Sequence, residues 1–162
     1  MHPLENYKQS LNNMALSNGD LGFYFPKISN LSNENFLEER KNIEQILGKK
    51  LPEDYWQSFL IMNGNNLSSV YLSSIQDLIK DNRQFVKKYR RQDLPYVILG
   101  HDVSLFYFLN LKDDQFGKIE IDEIVYGEFG SNISTDYKVF LNDVLEPYLD
   151  NTIANIEENE EN

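Results

Sequence analysis

The chain has 162 residues, of which 41% are hydrophobic and 25% charged, with a formal net charge of −11 and no cysteine. These figures describe one globular domain and exclude disulfides, thiolate nucleophiles and cysteine-based zinc sites. The acid excess makes phosphate backbones poor partners, whereas a basic protein is attracted at long range, with an on-rate that falls as salt rises.

The N-terminus, Met1-His2-Pro3-Leu4, lacks the basic start and apolar run of a signal peptide. No window approaches the roughly 18 apolar residues of a membrane span. The expectation is a cytoplasmic protein with no membrane and no nucleic acid among its partners. Leu4, Tyr7, Leu11 and Met14 fall at helical spacing, and an irregular, aromatic loop follows to residue 30. Ser32 is placed to cap a helix running to Leu47, with Phe36, Ile43 and Leu47 as its buried stripe and Gly48 as its stop. A second amphipathic helix follows Pro52 and carries Glu53 and Asp54 in its first turn, where the helix dipole favours negative charge. Tyr55, Trp56, Phe59, Leu60 and Met62 form its apolar side, and Asn63-Gly64 ends it.

Val70-Tyr71-Leu72 reads as a short strand. Ser73 and Gln76 then suggest a capping box for a helix that continues toward Arg90. Residues 96–100 read as a strand. Residues 105–111 read as another whose apolar side chains occupy both faces, so it is expected to be central and covered on both sides. Residues 118–121 and 124–126 read as further strand. A last helix is expected from Thr135 or Asp136, with Tyr137, Phe140, Leu141, Val144, Leu145 and Tyr148 on its apolar face. After Asn155 only Ile156, asparagine and glutamate remain, which reads as an acidic, disordered tail over 156–162. The organisation is one domain over residues 1–155.

Residues 31–64 carry a recognisable order of elements. Ile43-Glu44-Gln45-Ile46-Leu47-Gly48 is followed by Leu51-Pro52-Glu53-Asp54-Tyr55, then Phe59-Leu60 and Asn63-Gly64. This order resembles the SUKH superfamily, the Smi/Knr-type domain, and the resemblance extends loosely to residue 149. It implies an α+β fold with a single, mainly antiparallel sheet packed against several helices. It also implies an immunity protein that binds and neutralises a toxin domain, often a nuclease. Regulatory scaffolds of the cell-wall-synthesis type are the alternative branch. The motif residues Leu51, Pro52, Glu53, Asp54, Tyr55, Phe59, Asn63 and Gly64 read as structural, and the expected partner is a basic toxin domain gripped by an open side of the sheet.

Chemistry is sparse in the sequence. His2 and His101 are the two histidines. His101 stands beside Asp102, but neighbours on a strand point to opposite faces. A calcium loop centred on Gly117 would put Lys112 and Phe116 at ligand positions, which excludes it. No P-loop, HExxH or Gly-rich dinucleotide motif occurs, so no catalytic residue, metal or cofactor is assigned and the chain is expected not to be an enzyme. Lys80, Arg83, Lys87, Lys88, Arg90 and Arg91 read as the outer face of a surface helix. On an extended strand Glu120 and Asp122 would share one face. With exposed aromatics as anchors, the candidate partner contacts are Asp102, Tyr107, Glu120, Asp122 and Glu123, with Tyr107 reading equally well as core.

Overall fold

The computed structural model describes residues 31–61, 63–67 and 70–144. The expected N-terminal helix and loop, Met62, Leu145, Tyr148 and the acidic tail lie outside the described residues. Helix α1 (Asn33–Leu47) begins where Ser32 Oγ accepts the Asn35 amide at 3.2 Å and ends at Gly48, whose φ of 67° lets its amide return to the Glu44 carbonyl. Helix α2 (Glu53–Ile61) follows. The Pro52 carbonyl accepts the Trp56 amide at 3.3 Å, so the proline stands at the cap position, one residue before the helix. Gly64, at φ 78°, lies with a Cβ position only 2.6 Å from the Ser74 amide nitrogen. No other residue type fits that turn.

Six strands follow: β1 (Asn65–Leu67), β2 (Val70–Leu72), β3 (Tyr96–His101), β4 (Leu105–Asn110), β5 (Gln115–Glu120) and β6 (Ser131–Ser134). They form one sheet in chain order, every neighbouring pair antiparallel. Helix α3 (Leu78–Tyr89) is inserted between β2 and β3, and α4 (Ile121–Val125) between β5 and β6. A final helix, α5, covers residues 137–144. Asp136 caps it, its carboxylate accepting the Lys138 amide at 2.8 Å. The fold is α+β with one antiparallel sheet, as the pattern of elements implies.

β4 shows why the sheet needs helices on both sides. Tyr107 and Leu109 enter a core shared with Phe36 and Ile43 of α1, Tyr55, Trp56 and Phe59 of α2, and Phe140 and Leu141 of α5. Phe106 and Phe108 enter a second core with Phe85 of α3, Ile98, Ile119 and Ile124 of α4. The expected two-sided burial of this strand is therefore present. On the face opposite α2, α3 and α4 cover the apolar residues of β4, which would otherwise be left in water, and the expected open side narrows to a cleft beside α3. Trp56 is fully buried, edge-on to Phe36 at 6.4 Å between ring centroids. Arg40 lies over its ring at 5.5 Å and pairs bidentately with Glu53 at 2.6 and 3.0 Å, tying α1 to the start of α2.

Three local expectations are corrected. Residues 121–125 are helix, not strand, because Glu123 Oε1 accepts the Glu120 amide at 2.9 Å and stops the ladder there. The capping box at Ser73 and Gln76 does not form. Ser74 Oγ accepts the Asp77 amide at 3.1 Å, Gln76 accepts from Asn63 Nδ2 at 2.7 Å, and α3 starts only at Leu78. Arg91 belongs to no outer basic face: it is 9% exposed and its guanidinium is turned inward.

Candidate protein-binding site

The site is built around an irregularity in β3. β2 pairs with β3 only through Tyr71 with His101 and Leu72 with Gly100. A Cβ on Gly100 would lie 2.1 Å from the Tyr71 carbonyl oxygen, so the two strands approach this closely only across glycine. Between Ile98 and Gly100 the register with β4 shifts by a bulge. The extra residue turns His101 to the same face as Ile98, opposite Phe106. Where β2 has ended, Asn82 of α3 replaces it: Oδ1 accepts the Ile98 amide at 2.7 Å and Nδ2 donates to the Ile98 carbonyl at 2.9 Å. That side chain fixes α3 against the sheet edge.

A cleft of about 580 Å³ lies between α3 and the β2–β3–β4 surface. Its aromatic wall is continuous. Tyr71 and His101 are 5.0 Å apart, His101 and Phe106 5.6 Å, Phe106 and Phe85 5.0 Å, and Phe106 and Tyr89 5.6 Å. Asp81 supplies the charge. Its Oδ2 accepts from Tyr71 Oη at 2.8 Å and from Ser73 Oγ at 2.7 Å. Burial, and then the bond to Asp81, push the Tyr71 hydroxyl up to about 12, so it remains a donor at neutral pH. Both hydroxyl protons are committed to the carboxylate. The set therefore orients a fixed negative charge and offers no activated nucleophile, which needs its base aimed at an attacking oxygen. His101 and Asp102 both border the cleft, contrary to the opposite faces expected of them, because Asp102 has already left the strand. No hydrogen bond joins the two.

One end of the cleft opens onto a second surface. The Ile121 amide donates to the Ser104 carbonyl at 3.1 Å, which seats the β3–β4 turn against the start of α4. Asp102, half-buried, lines this end; its amide donates to the Leu105 carbonyl at 2.8 Å, and Leu105 pairs with the exposed Glu120, with exposed Asp122 two residues on. Val103 in the β3–β4 turn is 81% exposed, and in the loop after α4 Tyr126 is 78% and Phe129 58% exposed. The loop that presents these rings is held from beneath. Arg91 donates from Nη1 to the Ile124 carbonyl at 2.8 Å and from Nη2 to the Glu128 carbonyl at 3.0 Å, and its guanidinium carbon lies 5.8 Å from the Phe129 ring centre. Asp93 pairs with it at 2.8 Å, and that bond holds the Asp93 carboxyl below its ordinary range.

The remaining sequence-expected contacts divide between surface and core. Glu123 is half-buried and spends its carboxylate on the cap of α4. Tyr107 is 3% exposed and edge-on to Phe140, so it is core and not an anchor. Leu51, Tyr55 and Phe59 are buried, Pro52, Asp54, Asn63 and Gly64 are half-buried, and Glu53 is exposed. Asn63 Oδ1 accepts the Ile75 amide at 2.8 Å, so it locks the turn after α2. Sequence reading missed Tyr126, Phe129, Asp81 and Tyr71. The one available signal was Ile121, Ile124 and Val125 at helical spacing, which would have placed Tyr126 just past a short helix.

The chain matches no protein-family model and no curated protein. Among the described residues no group of three metal-ligating side chains occurs, and no helix is long and apolar enough to cross a membrane.

Proposed function

We propose that this chain is a non-enzymatic protein-binding domain whose partner is basic. In keeping with the SUKH resemblance, the partner would be a toxin domain that the chain neutralises in the cytoplasm. The observation that carries the reading is the exposed pair Tyr126 and Phe129 on a loop pinned by Arg91, on a chain of net charge −11 that also exposes Glu120 and Asp122. Aromatic anchors on a preformed loop bind at low ordering cost, and an acidic border steers a cationic partner and disfavours acidic ones. An acidic face also mimics phosphate, which suits occlusion of a nuclease groove.

The test is co-expression with the product of an adjacent toxin-encoding gene. Relief of killing, with one complex on a sizing column, supports the proposal. Unrelieved killing with no complex contradicts it, and recovery of several unrelated partners favours the regulatory-scaffold branch. The convergence of Tyr71, Ser73 and Asp81 in a cleft favours a second reading, a small-molecule site. Turnover of any small molecule by the purified chain would establish that reading in place of the first.

A further inference from the structure

The cleft is lined by two carboxylates, Asp81 and Asp102, against one ammonium, Lys88, whose Nζ lies 5.2 Å from the Tyr89 ring centre. Asp81 is held by two hydroxyls on a single oxygen, Oδ2, and its Oδ1 carries no hydrogen bond within the described residues. Around it stand the faces and edges of Tyr71, His101 and Phe106. A planar cation on an apolar stem satisfies all three features at once. Its charge meets Asp81, its plane stacks on the rings, and its methylenes replace water along Phe106. Guanidinium fits better than ammonium, because it is more weakly hydrated and stacks on aromatic faces.

We infer that the cleft between α3 and the β2–β3–β4 surface receives an arginine side chain, with Asp81 as its counter-ion and Tyr71, His101 and Phe106 as its stacking walls. The inference rests on the reading of a basic protein partner and deepens it. Val103, 81% exposed, lines the cleft beside Asp102, so a partner that inserts the arginine also meets an apolar side chain at its rim. Asp81 is thereby a specificity residue, rejecting a partner with an acidic or neutral side chain at that position.

The cleft can be tested without any partner. The isotope-labelled chain is titrated with Nα-acetyl-arginine methylamide and, separately, with the norleucine, lysine and glutamate analogues, following amide shifts by NMR. The arginine probe is expected to saturate on the order of a millimolar, moving Tyr71, Asp81, His101 and Phe106. Norleucine should bind at least about tenfold more weakly, since it lacks the charge-assisted bond. Asp81→Asn still accepts from Tyr71 and Ser73 but should weaken arginine binding about tenfold. If Asp81→Asn fails to fold, His101→Ala at an exposed position serves instead, and weakened binding is again expected. Equal binding of norleucine, lysine or glutamate overturns the assignment, as does arginine binding unchanged by both substitutions. Saturable arginine binding with no protein complex would remove the toxin reading alone. A complex insensitive to Asp81→Asn, in a chain that ignores the arginine probe, would remove this inference alone.

Discussion

Asn82 stands in for a missing strand. β2 stops after three residues, and without the Asn82 amide the Ile98 N–H and C=O would face α3 unpaired. Asn82→Ala should therefore cost about 1–3 kcal/mol in urea unfolding, because it strands two backbone groups and not merely one side chain. A loss below about 0.5 kcal/mol, the usual size of a surface substitution, would show that water replaces the amide freely. Glu53 makes a pH-dependent contribution. Its hydrogen bond from Arg40, and then that from Gln57, lower its carboxyl below the ordinary 4.5. A depressed folded value means stability that is present above about 4.5 and is lost as pH falls through the folded value. Glu53→Gln should flatten the acid limb of the stability curve, its small cost appearing at neutral pH and vanishing as pH falls below the folded value. The effect should be small and shrink with salt, since the Glu53 side chain is 61% exposed. At this scale the caps were legible: Ser32, Gly48 and Asp136 act through bonds to residues close by in sequence. Asp81, Asn82 and Arg91 were not, because their roles depend on Tyr71, Ile98 and Glu128, which only the folded chain brings near.

Elements were legible in proportion to their burial. α1, α2 and β4 carry strong apolar patterns, and each lies where the pattern demands. β1 and β6 are edge strands built from Asn65-Asn66-Leu67 and Ser131-Asn132-Ile133-Ser134, and they hold by backbone pairing that leaves no apolar alternation to read. α4 was hidden for a related reason. Five residues hold too little periodicity to separate helix from strand, and the Glu120–Glu123 cap decides the outcome. α2 is the element on which the larger core depends. Trp56 has no exposed surface and contacts Phe36, Tyr55 and Phe59 ring to ring. Trp56→Ala should cost about 3–5 kcal/mol by circular-dichroism unfolding. Leu37→Ala, at a position of α1 that is 61% exposed, should change stability by less than about 0.5 kcal/mol. Comparable losses at both positions would mean that α2 does not dock as described.

At the scale of the whole molecule, helices pack on both faces of the sheet, and the α3 side keeps a cleft over β2–β3–β4. Of the acidic candidates, Asp102 and Glu120 both neighbour Leu105, and Asp122 follows in α4. The exposure of Tyr126 was not legible because residues 124–126 read as strand, whereas it follows the short helix α4. Electrostatic steering and aromatic anchoring should separate kinetically. Raising salt should slow association with a basic partner, and removing the rings should speed dissociation. The most direct measurement is the affinity of the Tyr126→Ala/Phe129→Ala double variant for the partner recovered by co-expression, at two salt concentrations. A loss of at least about 100-fold is expected, expressed mainly as faster dissociation, with the salt dependence of association retained. Affinity within about twofold of the native chain, well under the 1.4 kcal/mol of a tenfold change, would contradict it and place the binding surface elsewhere.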